Sequence, residues 1–280
     1  MIKLKKYENL ILDEERALYG IENAEILNCR FDGKADGESA LKETKNIIVD
    51  RCFFNLRYPL WHTTNAEIKN IVMTENSRAA LWYDKNIKIQ NSKMNGIKVI
   101  RECRDTEIEK SRINSPEFAW FCQNLKIKDC ELVSEYPFLK SSNMEIENLK
   151  MKGKYSFQYA ENSIIKNSYL DTKDAFWHSK NITVADSIIK GEYLAWYSEN
   201  LRLINCKIIG TQPLCYAKGL ILENCQMIDC DLAFEKSEVN AVVNGKIESI
   251  KNPVKGKIKA NLIGKIILDT KTECEIVTEV

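Results

Sequence analysis

The stretch Asn162-Ser163-Ile164-Ile165-Lys166-Asn167-Ser168-Tyr169-Leu170 returns 19 residues later as Asn181-Ile182-Thr183-Val184-Ala185-Asp186-Ser187-Ile188-Ile189. Working outward, the same phrase is anchored at Asn46, Asn65, Asn86, Asp105, Asn124, Asn143, Asn162, Asn181, Asn200 and Gly219. Every step is 19 residues except the 21 between Asn65 and Asn86, and a looser copy starts at Asn23. Three places after each anchor stands an aliphatic residue, from Val49 and Ile68 to Leu203 and Leu222. Eight places on come Phe54, Met73, Met94, Ile113, Leu132, Met151, Leu170, Ile189, Ile208 and Met227, and six places on mostly Cys or Ser. Five places on, a second polar residue recurs, as in Asn70, Asn91, Asp129, Asn148, Asn167, Asp186, Asn205 and Asn224. Asn and Asp tolerate left-handed backbone and bond their own main chain, so each suits a sharp bend. One copy therefore reads as turn, alternating strand, bend, second alternating strand and a third strand. A unit this small cannot bury its own apolar side, so stacked copies must share one core.

Three solenoids compete for this pattern. A leucine-rich repeat fits Leu125, Ile127, Cys130 and Leu132, but its leading Leu would fall on Cys122, Ser198 or Asp84. A left-handed hexapeptide helix needs a multiple of six. The expectation is an all-β, single-stranded right-handed parallel β-helix of about 19 residues and three short strands per coil. The repeat predicts a β-helix over 23–238, an N-terminal cap over 1–22, and a small β end-structure over 239–280. In that last segment Gly245-Lys246-Ile247, Gly256-Lys257-Ile258 and Gly264-Lys265-Ile266 replace the 19-residue rule. Its expected role is to cover exposed strand edges.

The 41 basic and 40 acidic residues are interspersed and leave a net charge of +1, which singles out neither a nucleic-acid nor a membrane partner. Residues 1–19 carry charge where a signal peptide has an apolar core, so a cytoplasmic protein is expected. Cys29, Cys52, Cys130, Cys206 and Cys225 share a column where Ser substitutes freely. They read as small buried thiols rather than a disulfide framework or metal site. No cofactor motif and no metal site is expected.

The order of local phrases resembles a bacterial domain-of-unknown-function family placed in the pectate-lyase-like right-handed β-helix superfamily. The residues carrying it are Glu15-Arg16-Ala17-Leu18-Tyr19-Gly20, Asn28-Cys29-Arg30-Phe31-Asp32-Gly33, Gly37-Glu38-Ser39, Tyr58-Pro59-Leu60-Trp61, Lys173-Asp174-Ala175-Phe176-Trp177, Gly191-Glu192-Tyr193-Leu194 and Leu214-Cys215-Tyr216. The resemblance implies the β-helix fold and carries no activity or catalytic residue with it.

All five tryptophans, Trp61, Trp82, Trp120, Trp177 and Trp196, lie four residues before an anchor, and both histidines, His62 and His178, directly follow a Trp. The column before the Trp position, Leu41, Leu60, Leu81, Ile100, Ala119, Phe138, Phe157, Phe176, Ala195 and Leu214, must face inward. The Trp column also holds Lys42, Arg101 and Gln158, which an interior accepts only at a cost, so it is expected to face out. The next column is Glu43, His62, Tyr83, Glu102, Phe121, Lys140, Tyr159, His178, Tyr197 and Tyr216.

Two readings stand side by side. The first is a ligand face on which an oligo- or polysaccharide stacks, using Trp61, Trp82, Arg101, Glu102, Trp120, Lys140, Tyr159, Trp177, His178, Trp196, Tyr197 and Tyr216. The second is a pair of packing ladders in a structural or protein-interaction solenoid; Ala119-Trp120 and Ala195-Trp196 suggest an indole filling core volume. A carbohydrate-active enzyme of lyase or hydrolase kind is the catalytic form of the first reading, and its sharpest group is Glu43, His62 and Tyr83, successive members of one column, in which a carboxylate would orient an imidazole as general acid or base.

Overall fold

The computed structural model of the chain describes residues 4–278. Every regular element among them is a strand. Strand pairing is parallel throughout, and partners sit one repeat apart, about 19 residues, so the fold is an all-β parallel solenoid as expected. It divides into two compact units, Met1–Pro137 and Phe138–Val280.

In the first unit one wall runs through Glu22–Leu27, Lys45–Asp50, Thr64–Lys69, Lys85–Gln90 and Arg104–Glu109. Register is set by the aliphatic column: Val49 faces Ile68, Ile68 faces Ile89, and Ile89 faces Ile108. All four are fully buried. A one-residue slip would turn this column to solvent, so alternation and register enforce each other. The second wall stacks Arg30–Phe31, Phe53–Phe54, Val72–Met73, Lys93–Asn95 and Arg112–Asn114. Residues 5–12 already pair in parallel with the coil that follows them.

Both polar columns of the sequence sit at left-handed backbone, with φ of 56° at Asn65 and 55° at Asn70. Their amides form ladders between coils. The Asn65 Nδ2 donates to Asn46 Oδ1 at 2.9 Å, and Asn86 Nδ2 donates to Asn65 Oδ1 at 2.8 Å. An amide carries both donor and acceptor, so one residue type bonds both neighbours and satisfies the bend's conformation at once.

The third strand departs from expectation. It is regular in the first unit only where Leu81–Trp82 pairs with Ile100–Arg101 and Glu117–Phe118 pairs with Tyr136–Pro137. Elsewhere the chain turns with alternate residues at positive φ, as at Tyr58, Leu60 and His62, while still bonding neighbouring coils through Leu60 N to Ala40 O and His62 N to Trp82 O. A β-branched side chain is compatible with only one of the two geometries. In the inward column Leu41, Leu60, Ala119, Phe138, Phe157, Phe176, Ala195 and Leu214 take positive φ, whereas Ile100, its β-branched member, and its partner Leu81 do not. A branched Cβ clashes in the left-handed region.

In the second unit Glu161–Lys166 pairs with Lys180–Ala185, which pairs with Arg202–Ile204, and Tyr169–Lys173 pairs with Ile188–Lys190, then Lys207–Ile209. Its core holds a phenylalanine ladder, with Phe138 to Phe157 at 4.7 Å and Phe157 to Phe176 at 4.9 Å between centroids. Toward its end Glu238–Lys251, Lys255–Ile267 and Glu273–Thr278 go on stacking in parallel, with a register shift between Val243 and Lys246. Gly256 is required there: its φ is 112°, and a Cβ would lie 2.0 Å from the Val239 carbonyl oxygen.

Candidate functional site

Each coil delivers three consecutive residues to the turn-like third side: an inward apolar residue, the Trp-column residue and the polar-aromatic residue. The inward column is buried at every position from Leu41 to Leu214, as the repeat predicts. The tryptophans are neither outside nor inside. All five are half-buried, and each indole N–H donates within the protein: Trp61 to Ala79 O, Trp82 to Glu102 Oε1, Trp120 to Tyr136 O, Trp177 to Tyr193 O and Trp196 to Gln212 O. Four of the five acceptors are main-chain carbonyls of the adjoining coil's turn, so the indoles tie coil to coil.

The charged members of the Trp column are held there by the rings. The Arg101 guanidinium lies 4.9 Å from the Trp82 centroid, 5.2 Å from Trp120 and 5.3 Å from Phe121, and its Nε is 3.3 Å from Glu102 Oε1. Lys42 Nζ sits 5.7 Å from the Trp61 centroid. A cation against a π face is attracted without needing bulk water, so charge in this column does not mean full exposure. Gln158 corrects the sequence expectation outright: it is 7% exposed, with Nε2 donating to Asp174 O. Nor do the Ala-Trp pairs supply core volume. Ala195 is itself buried, and Trp196 stays in its own column, stacked on Trp177 at 5.4 Å and 3°.

Glu43, His62 and Tyr83 do occupy successive coils of one column. The Glu43 carboxylate is engaged from the other side, accepting a 2.6 Å bond from the Tyr19 hydroxyl. That bond, together with burial and the Glu43 charge, raises the Tyr19 pKa. His62 stacks on Tyr83 at 5.1 Å and 20°. What the structure brings together is thus a Tyr19–Glu43 pair and a His62–Tyr83 pair. Sequence reading missed Tyr19 because it lies in the column but before the first regular copy.

In the second unit the same column becomes continuous. Tyr159, His178, Tyr197 and Tyr216 stack at 4.9, 5.0 and 4.9 Å with interplanar angles of 7°, 7° and 15°. Lys140 Nζ lies 5.7 Å from the Tyr159 centroid and Lys236 Nζ 5.8 Å from that of Tyr216, so a cation closes each end. Lys236 was missed because the spacing from Tyr216 is 20 residues rather than 19. Tyr159 and Tyr197 are 45% and 44% exposed, while Tyr216 is half-buried, and burial with the nearby Glu235 charge raises its pKa. Among the described residues, no side-chain hydrogen bond ties the Tyr159 or Tyr197 hydroxyl or the His178 imidazole to the protein. Ring faces in this ladder are turned to one another, and the polar edges remain for solvent.

Also missed was a column of tyrosines three places before the Trp position. Tyr58 packs on Trp61 at 5.2 Å and Tyr193 on Trp196 at 5.4 Å. Aligning one more column would have found it.

No curated protein matches the chain. Among solved structures it is similar to PfbA, a surface adhesin of Streptococcus pneumoniae, at 10% identity over 94% of this chain and 82% of that one, TM-score 0.38. It is also similar to the A-module of an Azotobacter vinelandii mannuronan C-5 epimerase, at 9% identity, 98% and 87% coverage and TM-score 0.29. A third is a periplasmic alginate epimerase, at 10%, 92%, 77% and 0.31. Likeness this distant carries nothing on function. The family model described as "Protein of unknown function (DUF3737)" matches residues 5–280, and the chain belongs to that family.

Proposed function

We propose that the second unit carries a glycan-binding surface, contacted through the edge of the Tyr159–His178–Tyr197–Tyr216 ladder rather than through ring faces. The observation that carries this reading is the stack itself: rings 4.9–5.0 Å apart, with phenol and imidazole edges unclaimed by the protein. Buried ring faces leave no platform for a sugar to lie on, but hydroxyl and imidazole edges at a fixed repeat are donors and acceptors for a hydroxyl-rich polymer. The tryptophans enter this reading as supports, because their N–H groups and faces are occupied within the fold. Support for a cytoplasmic setting comes from thiol use: Cys29, Cys52, Cys206 and Cys225 act as small core residues bonding main-chain carbonyls.

The test is a glycan array probed with the chain and with a Tyr159→Phe, Tyr197→Phe double variant. Phe keeps the stack and removes two hydroxyl edges. We expect affinity to fall about tenfold or more, the worth of two hydrogen bonds. Undiminished binding by the double variant would remove the ladder edge from the site.

A further inference from the structure

The ladder also limits which glycan fits, an inference that rests on the reading above. Its rungs advance by 4.9–5.0 Å, the repeat of the stacked coils, and they run for four positions before Lys140 and Lys236 close the ends. A chain of equatorially linked pyranoses in its extended form advances by about one coil repeat per sugar, so such a chain laid along the ladder meets one edge per sugar. A strongly curled chain would leave the register after one or two.

Charge alongside the ladder adds a second constraint. Two residues beyond successive rungs stand Glu161, Lys180, Glu199 and Lys218, in bridged register from coil to coil. Lys180 Nζ and Glu199 Oε2 are 3.4 Å apart. A polymer with one carboxylate per sugar, held in this register, would set every second charge against a protein carboxylate. Like charges in contact cost what opposite ones gain, so the alternating stripe favours no uniformly charged chain.

We infer that the ligand is a linear, uncharged, extended polysaccharide that runs parallel to the ladder with one sugar per rung over four rungs. The experiment is calorimetric titration of the full chain with β-1,4-linked glucose oligomers of two to six units and with β-1,4-linked glucuronate oligomers of the same lengths. Affinity should rise roughly fivefold per added unit up to the fourth, the net worth of one hydrogen bond, and then level. The glucuronate series should bind no tighter at any length. Tyr216→Phe, which keeps the stacked ring, should move the plateau to three units. Binding without a length step, a rise continuing beyond four, or tighter binding of the charged series overturns the register and charge assignment while leaving glycan binding in place. If neither series binds and the array is also blank, the glycan function itself falls.

Discussion

At the scale of single residues, Asp84 is a carboxyl group buried with one oxygen unpartnered. It stands in the small inward column between Thr63 and Cys103 and is 1% exposed; its Oδ1 accepts the Thr63 N–H at 2.8 Å while Oδ2 has no partner. Burial, with a lesser contribution from Cys103, pushes its pKa well above the usual carboxylate range. A folded-state pKa above the unfolded one means that the native chain keeps a proton which the unfolded chain has released. Stability is therefore fullest below the ordinary carboxylate pKa and declines as pH rises toward the native value, by about 1.4 kcal/mol per pH unit. Asp84→Asn keeps the acceptor for Thr63 and cannot ionise. It is expected to stabilise the chain at pH 7 by on the order of 1–3 kcal/mol and to flatten the slope. Urea unfolding of both proteins at pH 5 and pH 8 measures this; parallel slopes would show that Asp84 is ionised or solvated in the fold. Nothing in a one-dimensional pattern announces that orphan oxygen. The repeat placed Asp84 in an inward column, but whether both oxygens find donors depends on neighbours from adjoining coils.

At the scale of the element, the third side of each coil shows what periodicity omits. The apolar residue before the Trp position was legible as inward, and it is buried in every coil. Its backbone was not legible, because alternating apolar and polar residues read as a strand whether φ is extended or left-handed. Branching at Cβ was the one local signal, and it marks Ile100 as extended while leaving Leu60 and Leu81 indistinguishable. Leu60 has φ of 63°, while Leu81 lies in a paired strand, and both side chains are fully buried. Leu→Ile at either site preserves volume and costs under about 1.5 kcal/mol through shape alone. At Leu60 it should cost measurably more than at Leu81, because a branched Cβ crowds the left-handed backbone in a way that Leu does not. Chemical denaturation of Leu60→Ile and Leu81→Ile compares them directly, and equal losses would refute the branching rule. The same limit explains the Trp column. Lys42, Arg101 and Gln158 pointed outward by polarity, yet π faces hold Lys42 and Arg101 half-buried and a main-chain carbonyl accommodates Gln158 in a buried position.

At the scale of the whole chain, cysteine usage is uniform in kind. Every cysteine is a free thiol, and all except Cys274 are buried. Burial raises the Cys52, Cys215 and Cys230 pKa values to about 12, so these thiols remain protonated across the neutral range. A thiol-reactive chromophore should therefore label about one site in the native chain, slowly, because burial also raises the Cys274 pKa. All ten should react in denaturant; several fast-reacting thiols in the native protein would contradict the core assignment. By itself the sequence determined the coil length, the two Asn bends, the inward columns and the stacking order of the aromatic residues. Those properties follow from a side-chain period that each coil must share with its neighbours to bury its apolar side. Only the tertiary structure decided which way each ring faces, whether a cation rests on it, and whether its polar edge is claimed. These depend on atoms supplied by the coils before and after, and no single copy of the repeat contains them.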